Sequence, residues 1–261
     1  MPFKRLPQED KISQEELVAG NPKLHLYWHL RPHKDCPQGP MGDGLYLETN
    51  RGDKAVVLLL LDAMSHGVSS DALLKIAENF LFRVPELQQQ PCPCSLLQEL
   101  LKWLLTNPLF RGEGEAPPYI FFDATVVFMQ PERDETVVWS CIGKSLYRRE
   151  SGIWVCVEVG EQGFSLNSGP DLLPEAERGC SPIPLTPRPS LLLGTSDWTD
   201  DLGENGRYNI HIANDLGAIP TQWGGQEVLE AILDRAERHH AKENFPPDDL
   251  TLFCLEWKES P

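Results

Sequence analysis

The chain has 261 residues, with 39 Asp plus Glu against 23 Lys plus Arg, and its formal net charge is -16. With 41% hydrophobic and 24% charged residues it is no collagen, coiled-coil rod or wholly disordered chain, and it is long enough to bury a substantial core. So acidic a surface repels phosphate backbones and anionic lipids, so neither nucleic acid nor a membrane surface is an expected partner.

The longest apolar run, Ala55 to Leu61, is far shorter than the roughly 20 residues of a spanning helix. The opening M-P-F-K-R-L-P-Q-E-D-K holds no apolar segment of signal-peptide length, so a cytoplasmic protein is expected. The seven cysteines are scattered, and Cys92 and Cys94 in P-C-P-C lack the second pair that a zinc site needs.

Residues 1–40 are polar and mostly aperiodic, an N-terminal arm read as an adaptor, an edge strand or a partly disordered leader. Within it, Leu24, Leu26, Trp28 and Leu30 alternate with Lys, His and Tyr, which hints at one short strand. Leu45 to Thr49 reads as a strand, and N-R-G-D at 50–53 as a hairpin turn. The continuous run Ala55 to Leu61 fits a strand buried on both faces, ending at Asp62. Ser69 and Ser70 suit the N-cap of a helix whose inner face carries Ala72, Leu73, Ile76, Ala77 and Phe80. A second amphipathic helix is expected around Leu96, Leu97, Leu100, Leu101 and Leu104.

Residues 119–159 read as successive antiparallel strands: Tyr119 to Met129, Thr136 to Cys141, Ser145 to Arg149 and Ile153 to Val159. A Gly- and Pro-rich loop follows over 160–189, then a short buried strand from Ser190 to Gly194. Gln226 to His240 is expected to be a helix, with Val228, Leu229, Ile232, Leu233 and Ala236 inward, and Thr251 to Trp257 a closing strand. Strands do not alternate with helices through the middle of the chain, so the class is α+β, a layered sandwich of mainly antiparallel sheets flanked by helices.

Candidate chemistry lies at the strand ends. Asp43 in M-G-D-G precedes a strand, Asp62 ends one, Asp197 follows S-L-L-L-G-T-S, and Asp248 and Asp249 precede L-T-L-F-C-L. Carboxylates gathered at one rim of a sheet repel, so one must protonate or a cation must neutralise them. Hard oxygen clusters select Mg²⁺ or Mn²⁺.

These segments resemble bacterial PPM-type serine/threonine phosphatases, in particular the stage II sporulation protein E and stress-response sigma-factor regulator subgroup. D-A-M-S-H-G-V-S-S-D-A-L-L is similar to that family's D-x-x-x-H-G-x-x-A-A-L, and M-G-D-G to its G-G-D. F-D-A-T-V-V-F-M, S-L-L-L-G-T-S-D-W-T-D and P-P-D-D-L-T-L-F-C-L resemble F-A-T-L, L-L-L-Y-T-D-G-V-T-E and D-D-I-T-L-L-V-L, in the same order along the chain.

The resemblance covers about residues 40–258 and implies a phosphatase domain over 41–258 with a four-layer α-β-β-α sandwich. It implies two divalent cations, Mn²⁺ or Mg²⁺, and hydrolysis of phosphoserine or phosphothreonine on a regulatory partner such as a phosphorylated anti-sigma-factor antagonist. Asp62 would bridge the metals, the Ala63 carbonyl would join one of them, and Asp43 would hold the second. Asp197 and Asp248 would hold the first, with Asp249 as the alternative to Asp248. Two roles fit His66, as a proton donor to the leaving oxygen or as a shaper of the turn after Asp62. The chain departs from the pattern where Trp198 replaces the Gly of T-D-G and Lys144 the His of A-G-H. These departures leave a non-catalytic, phosphatase-like interaction module as the alternative. With only about 40 residues ahead of the domain, control is expected from a separate activator protein.

Overall fold

The computed structural model describes residues 3–19, 22–32, 41–49, 54–63, 68–83, 99–100, 122–140, 146–157, 183–196, 215–243 and 249–259. Its strands are β1 (Lys4–Arg5), β2 (Glu9–Val18), β3 (Lys23–Arg31), β4 (Asp43–Glu48), β5 (Val56–Ala63), β6 (Phe122–Gln130), β7 (Glu135–Ser140), β8 (Leu146–Glu150), β9 (Ile153–Cys156), β10 (Ile183–Pro184), β11 (Leu191–Thr195) and β12 (Leu250–Lys258). The two long helices among the described residues are α1 (Val68–Arg83) and α2 (Gly225–Glu243). Among the described residues the strands form two six-stranded sheets, ordered β1-β4-β5-β6-β7-β10 and β2-β3-β12-β11-β8-β9. Two compact units follow this division, and the chain passes from the second to the first between Asp43 and Gly44.

In the first unit all eight residues of β5 are buried. Side chains alternate across a strand, so burial of every residue means that both faces are covered, as the unbroken apolar run predicts. β5 pairs antiparallel with β6, and β6 with β7 through a turn at Pro131–Arg133 closed by Asp134 at φ 55°. α1 packs on β5. It begins at Val68, so Ser69 and Ser70 lie within its first turn rather than ahead of it. Its buried side chains are Leu74, Ala77, Phe80 and Leu81, while Ile76 is half-buried. Glu78 ties the helix to the sheet, accepting from Arg5 Nη1 at 2.8 Å and from Tyr46 Oη at 3.2 Å. Of the expected Leu-striped second helix, only residues 99 and 100 are described; both are helical and Leu100 is buried.

In the second unit α2 packs on β12 and β3. Val228, Leu229 and Ile232 of the helix join Tyr27, Tyr147, Leu191, Leu193, Leu252 and Cys254 of the sheet in one core. The segment over residues 9–18 is the edge strand that was one of the readings of the arm, and the strand expected around Leu24 to Leu30 is β3. The two edges of this sheet differ. β2 carries Glu9, Lys11, Glu15 and Glu16, and its pairing with β3 shifts register twice. β9 is uncharged I-W-V-C in regular register with β8, closed by a tight turn with Ser151 at φ 48° and Gly152 at φ 83°. Ile153 is 69% and Val155 38% exposed. No helix among the described residues is long and apolar enough to cross a membrane.

Burial pushes the Cys254 thiol far above its ordinary 9.0, and the nearby Glu256 carboxylate adds to the rise. Burial likewise raises the Tyr27 phenol, against the opposing hydrogen bond from Lys258. A folded-state pKa above the unfolded one stabilises below the unfolded value and loses that contribution as pH rises. Stability to urea is therefore expected to decline from pH 9 upward, at about 1.4 kcal/mol per pH unit for the thiol alone. In Cys254→Ala the decline is expected to begin near pH 10 instead. An unchanged profile in that variant would contradict this account.

Candidate functional site

Each candidate aspartate within the described residues is buried. Asp43 opens β4, Asp62 is the seventh residue of β5, and Asp249 directly precedes β12; their exposures are 2%, 5% and 3%. Ala63, which ends β5, is also buried. An ionised carboxylate taken out of water needs hydrogen-bond donors or a cation to offset the loss of hydration.

Asp249 is met by a backbone donor from its own unit. The Gly42 N–H donates to Asp249 Oδ2 at 2.5 Å, across 207 residues of sequence. This bond seats the start of β12 beside the residue that precedes Asp43, so the chain segments bearing Asp43 and Asp249 are neighbours. The start of β12 is held from both sides. On one side Leu250 pairs with Arg31 and Thr251 with Leu30 of β3. On the other, the Ser196 N–H donates to the Thr251 carbonyl at 2.9 Å, and the Thr251 N–H donates to Ser196 Oγ at 3.1 Å. Ser196 and Thr251 are fully buried.

In the first unit the backbone register sets Asp62 opposite Asp123 of β6, and Ala63 opposite Phe122. Sequence reading passed over Asp123, because a register is invisible until both strands are known. It also passed over Gly42, which contributes through its backbone N–H, and Ser196, whose hydroxyl makes a backbone contact.

Asp197, Asp248 and His66, as well as Lys144 and Trp198, lie outside the described residues. Among the described residues no three of His, Cys, Asp and Glu are grouped to hold a metal ion. Taken one by one, Asp43, Asp62 and Asp249 are short, buried carboxylates at strand ends, the ligand type that hard cations prefer. Two cavities in the second unit, of about 360 and 510 Å³, lie against α2 and include none of the candidate aspartates. Both mix Glu230 and Asp234 with cationic side chains such as Arg238 or Arg31, which sets them apart from an all-oxygen cation cage.

No protein-family model matches the sequence, and no curated protein matches it. Solved structures do match. The PP2C phosphatase domain of the cell fate determinant SpoIIE from Bacillus subtilis, solved with a fragment of its regulatory domain, superposes with a TM-score of 0.64 at 11% identity, over 94% of this chain and 66% of that one. The SiaA-PP2C domain of Pseudomonas aeruginosa gives a TM-score of 0.64 at 16% identity, over 88% and 85% of the two chains. RsbX in complex with magnesium gives 0.54 at 13% identity, over 95% of this chain and all of the other. The chain has the α+β fold of the PP2C, or PPM-type, phosphatase domains.

Proposed function

We propose that the chain is a metal-dependent phosphoprotein phosphatase acting on phosphoserine or phosphothreonine of a regulatory partner protein. The observation that carries this reading is the near-complete burial of Asp43, Asp62 and Asp249 at strand ends of a chain with the PPM fold. When bound, a pair of Mn²⁺ or Mg²⁺ ions would activate a water and draw charge from the phosphoryl oxygens. The chain's own part is to hold such ions. Asp62 would bridge them, the Ala63 carbonyl would join one, and Asp43 would serve the second. Asp197 and Asp248 would serve the first, with Asp249 as the alternative to Asp248. His66 would either protonate the leaving oxygen or shape the turn that follows Asp62.

The substrate class follows from the resemblance to sigma-factor regulators: a phosphorylated anti-sigma-factor antagonist or a protein like it, with a separate activator protein in control. Phosphate release from a phosphoserine peptide is expected to appear with Mn²⁺ and to vanish with EDTA. A rate indifferent to both would remove the proposal. The substitutions at Trp198 and Lys144 favour a second reading, a phosphatase-like module that binds a partner without catalysis. Calorimetric titration separates the two: the enzyme takes up two Mn²⁺ ions and the module none.

A further inference from the structure

Ladder geometry makes the contact at Ser196 unusual. In an antiparallel pair, every second opposed couple exchanges two backbone hydrogen bonds. The Trp257 N–H donates to the Ser190 carbonyl at 3.1 Å, which sets the parity of the residues facing β12, although the Ser190 N–H itself turns to the Arg149 carbonyl at 3.0 Å. The register Leu192↔Leu255 and Gly194↔Phe253 carries it on to Ser196 opposite Thr251. There the outward bond is ordinary, from the Ser196 N–H to the Thr251 carbonyl at 2.9 Å. The return bond runs from the Thr251 N–H to the Ser196 hydroxyl at 3.1 Å. A side chain stands where the ladder would use a carbonyl. β11 itself ends one residue earlier, at Thr195.

We infer that Ser196 is a positioning residue: its hydroxyl fixes the first residues of β12 and, through them, the Asp249 carboxylate that receives the Gly42 N–H. Among the described residues, β12 is held at this point by β3 on one side and by Ser196 on the other. Without the hydroxyl, the buried Thr251 N–H loses this acceptor, and the bond from the Ser196 N–H to the Thr251 carbonyl is left to hold that side, so the strand start loosens. Asp249 lies two residues upstream, so its carboxylate shifts with the strand and the bond to Gly42 weakens. The effect on a metal rests on the proposed function; the effect on strand position does not.

The test is backbone amide exchange followed by NMR on the metal-free chain, paired with Mn²⁺ titration. Ser196→Ala is expected to speed exchange at both Thr251 and Gly42 by about tenfold or more. It is expected to weaken Mn²⁺ binding by about tenfold, the usual loss when a group supporting a ligand is removed. Ser196→Thr keeps the hydroxyl and is expected to restore both readouts. Val228→Ala, in the α2 core, is expected to lower the melting temperature while leaving Gly42 exchange at the wild-type rate. If Ser196→Ala does not fold, Ser196→Cys, with its weaker acceptor, gives the same readings. A wild-type exchange rate at Gly42 in Ser196→Ala or Ser196→Cys would overturn the inference. So would acceleration in Val228→Ala equal to that in the serine variant. If the wild-type chain binds no Mn²⁺, the proposed function falls, and Gly42 exchange still decides the role of Ser196.

Discussion

Asp62→Asn is expected to lower Mn²⁺-dependent phosphate release by roughly 10²–10³-fold, the scale of losing one preorganised electrostatic group. The substitution keeps the shape of the side chain and removes its charge. The amide keeps an oxygen that can accept hydrogen bonds at this buried position, so the metal-free variant is expected to melt close to the wild type. Loss of rate without loss of stability is the signature of a ligand, whereas a structural aspartate would lose both. The acids before β12 are expected to separate under the same substitution. Asp248→Asn is expected to abolish the uptake of one Mn²⁺. Asp249→Asn is expected to keep it, because an amide oxygen can still accept the Gly42 N–H. Calorimetric stoichiometry reads both, and the reverse pattern would exchange the roles of the two residues.

The second large effect is steric. Gly194 and Phe253 are opposed in the β11–β12 register, and the phenyl ring lies over the glycine. A methyl group at Gly194 would sit 2.2 Å from Phe253 Cζ and 2.3 Å from Cε1. Phe253 is fully buried, so the ring has no solvent to move into. Gly194→Ala is expected to cost about 1–3 kcal/mol in urea unfolding by overpacking. Phe253→Ala is expected to cost about 3–5 kcal/mol by opening a cavity. The double variant should cost clearly less than the sum, since removing the ring removes the clash. Additive costs would mean that the two residues do not share the space. Gly194 lies two residues before Ser196 on the same segment, so Gly194→Ala is expected to disturb Thr251 as well.

Most elements were legible in the sequence because their physics is local. The unbroken apolar run predicted β5, and the turns around P-E-R-D and E-S-G predicted the hairpins β6–β7 and β8–β9. β2 was less legible. As a charged edge strand with two register shifts, E-D-K-I-S-Q-E-E-L-V breaks the alternation that marks a strand. The start of α1 was misplaced because the serines that suit a cap are equally accommodated in a first helical turn. Asp43, Asp62 and Asp249 were singled out by their places at strand ends, and all three are buried there, while Asp197 and Asp248 lie outside the described residues. The bonds that seat them were not, since Gly42 with Asp249 and Ser196 with Thr251 are joined through backbone groups that leave no trace in residue type.

The contrast between β2 and β9 bears on how the protein behaves in concentrated solution. Charge and irregular pairing keep β2 from accepting a neighbour, whereas β9, an edge strand among the described residues, is uncharged and exposes Ile153 and Val155. The hairpin tip is thus the place where crowding would first link molecules into ribbons, and the large negative charge of the chain is what holds such neighbours apart. Added salt shortens the reach of that repulsion, so ionic strength sets how concentrated the protein can become before ribbons form.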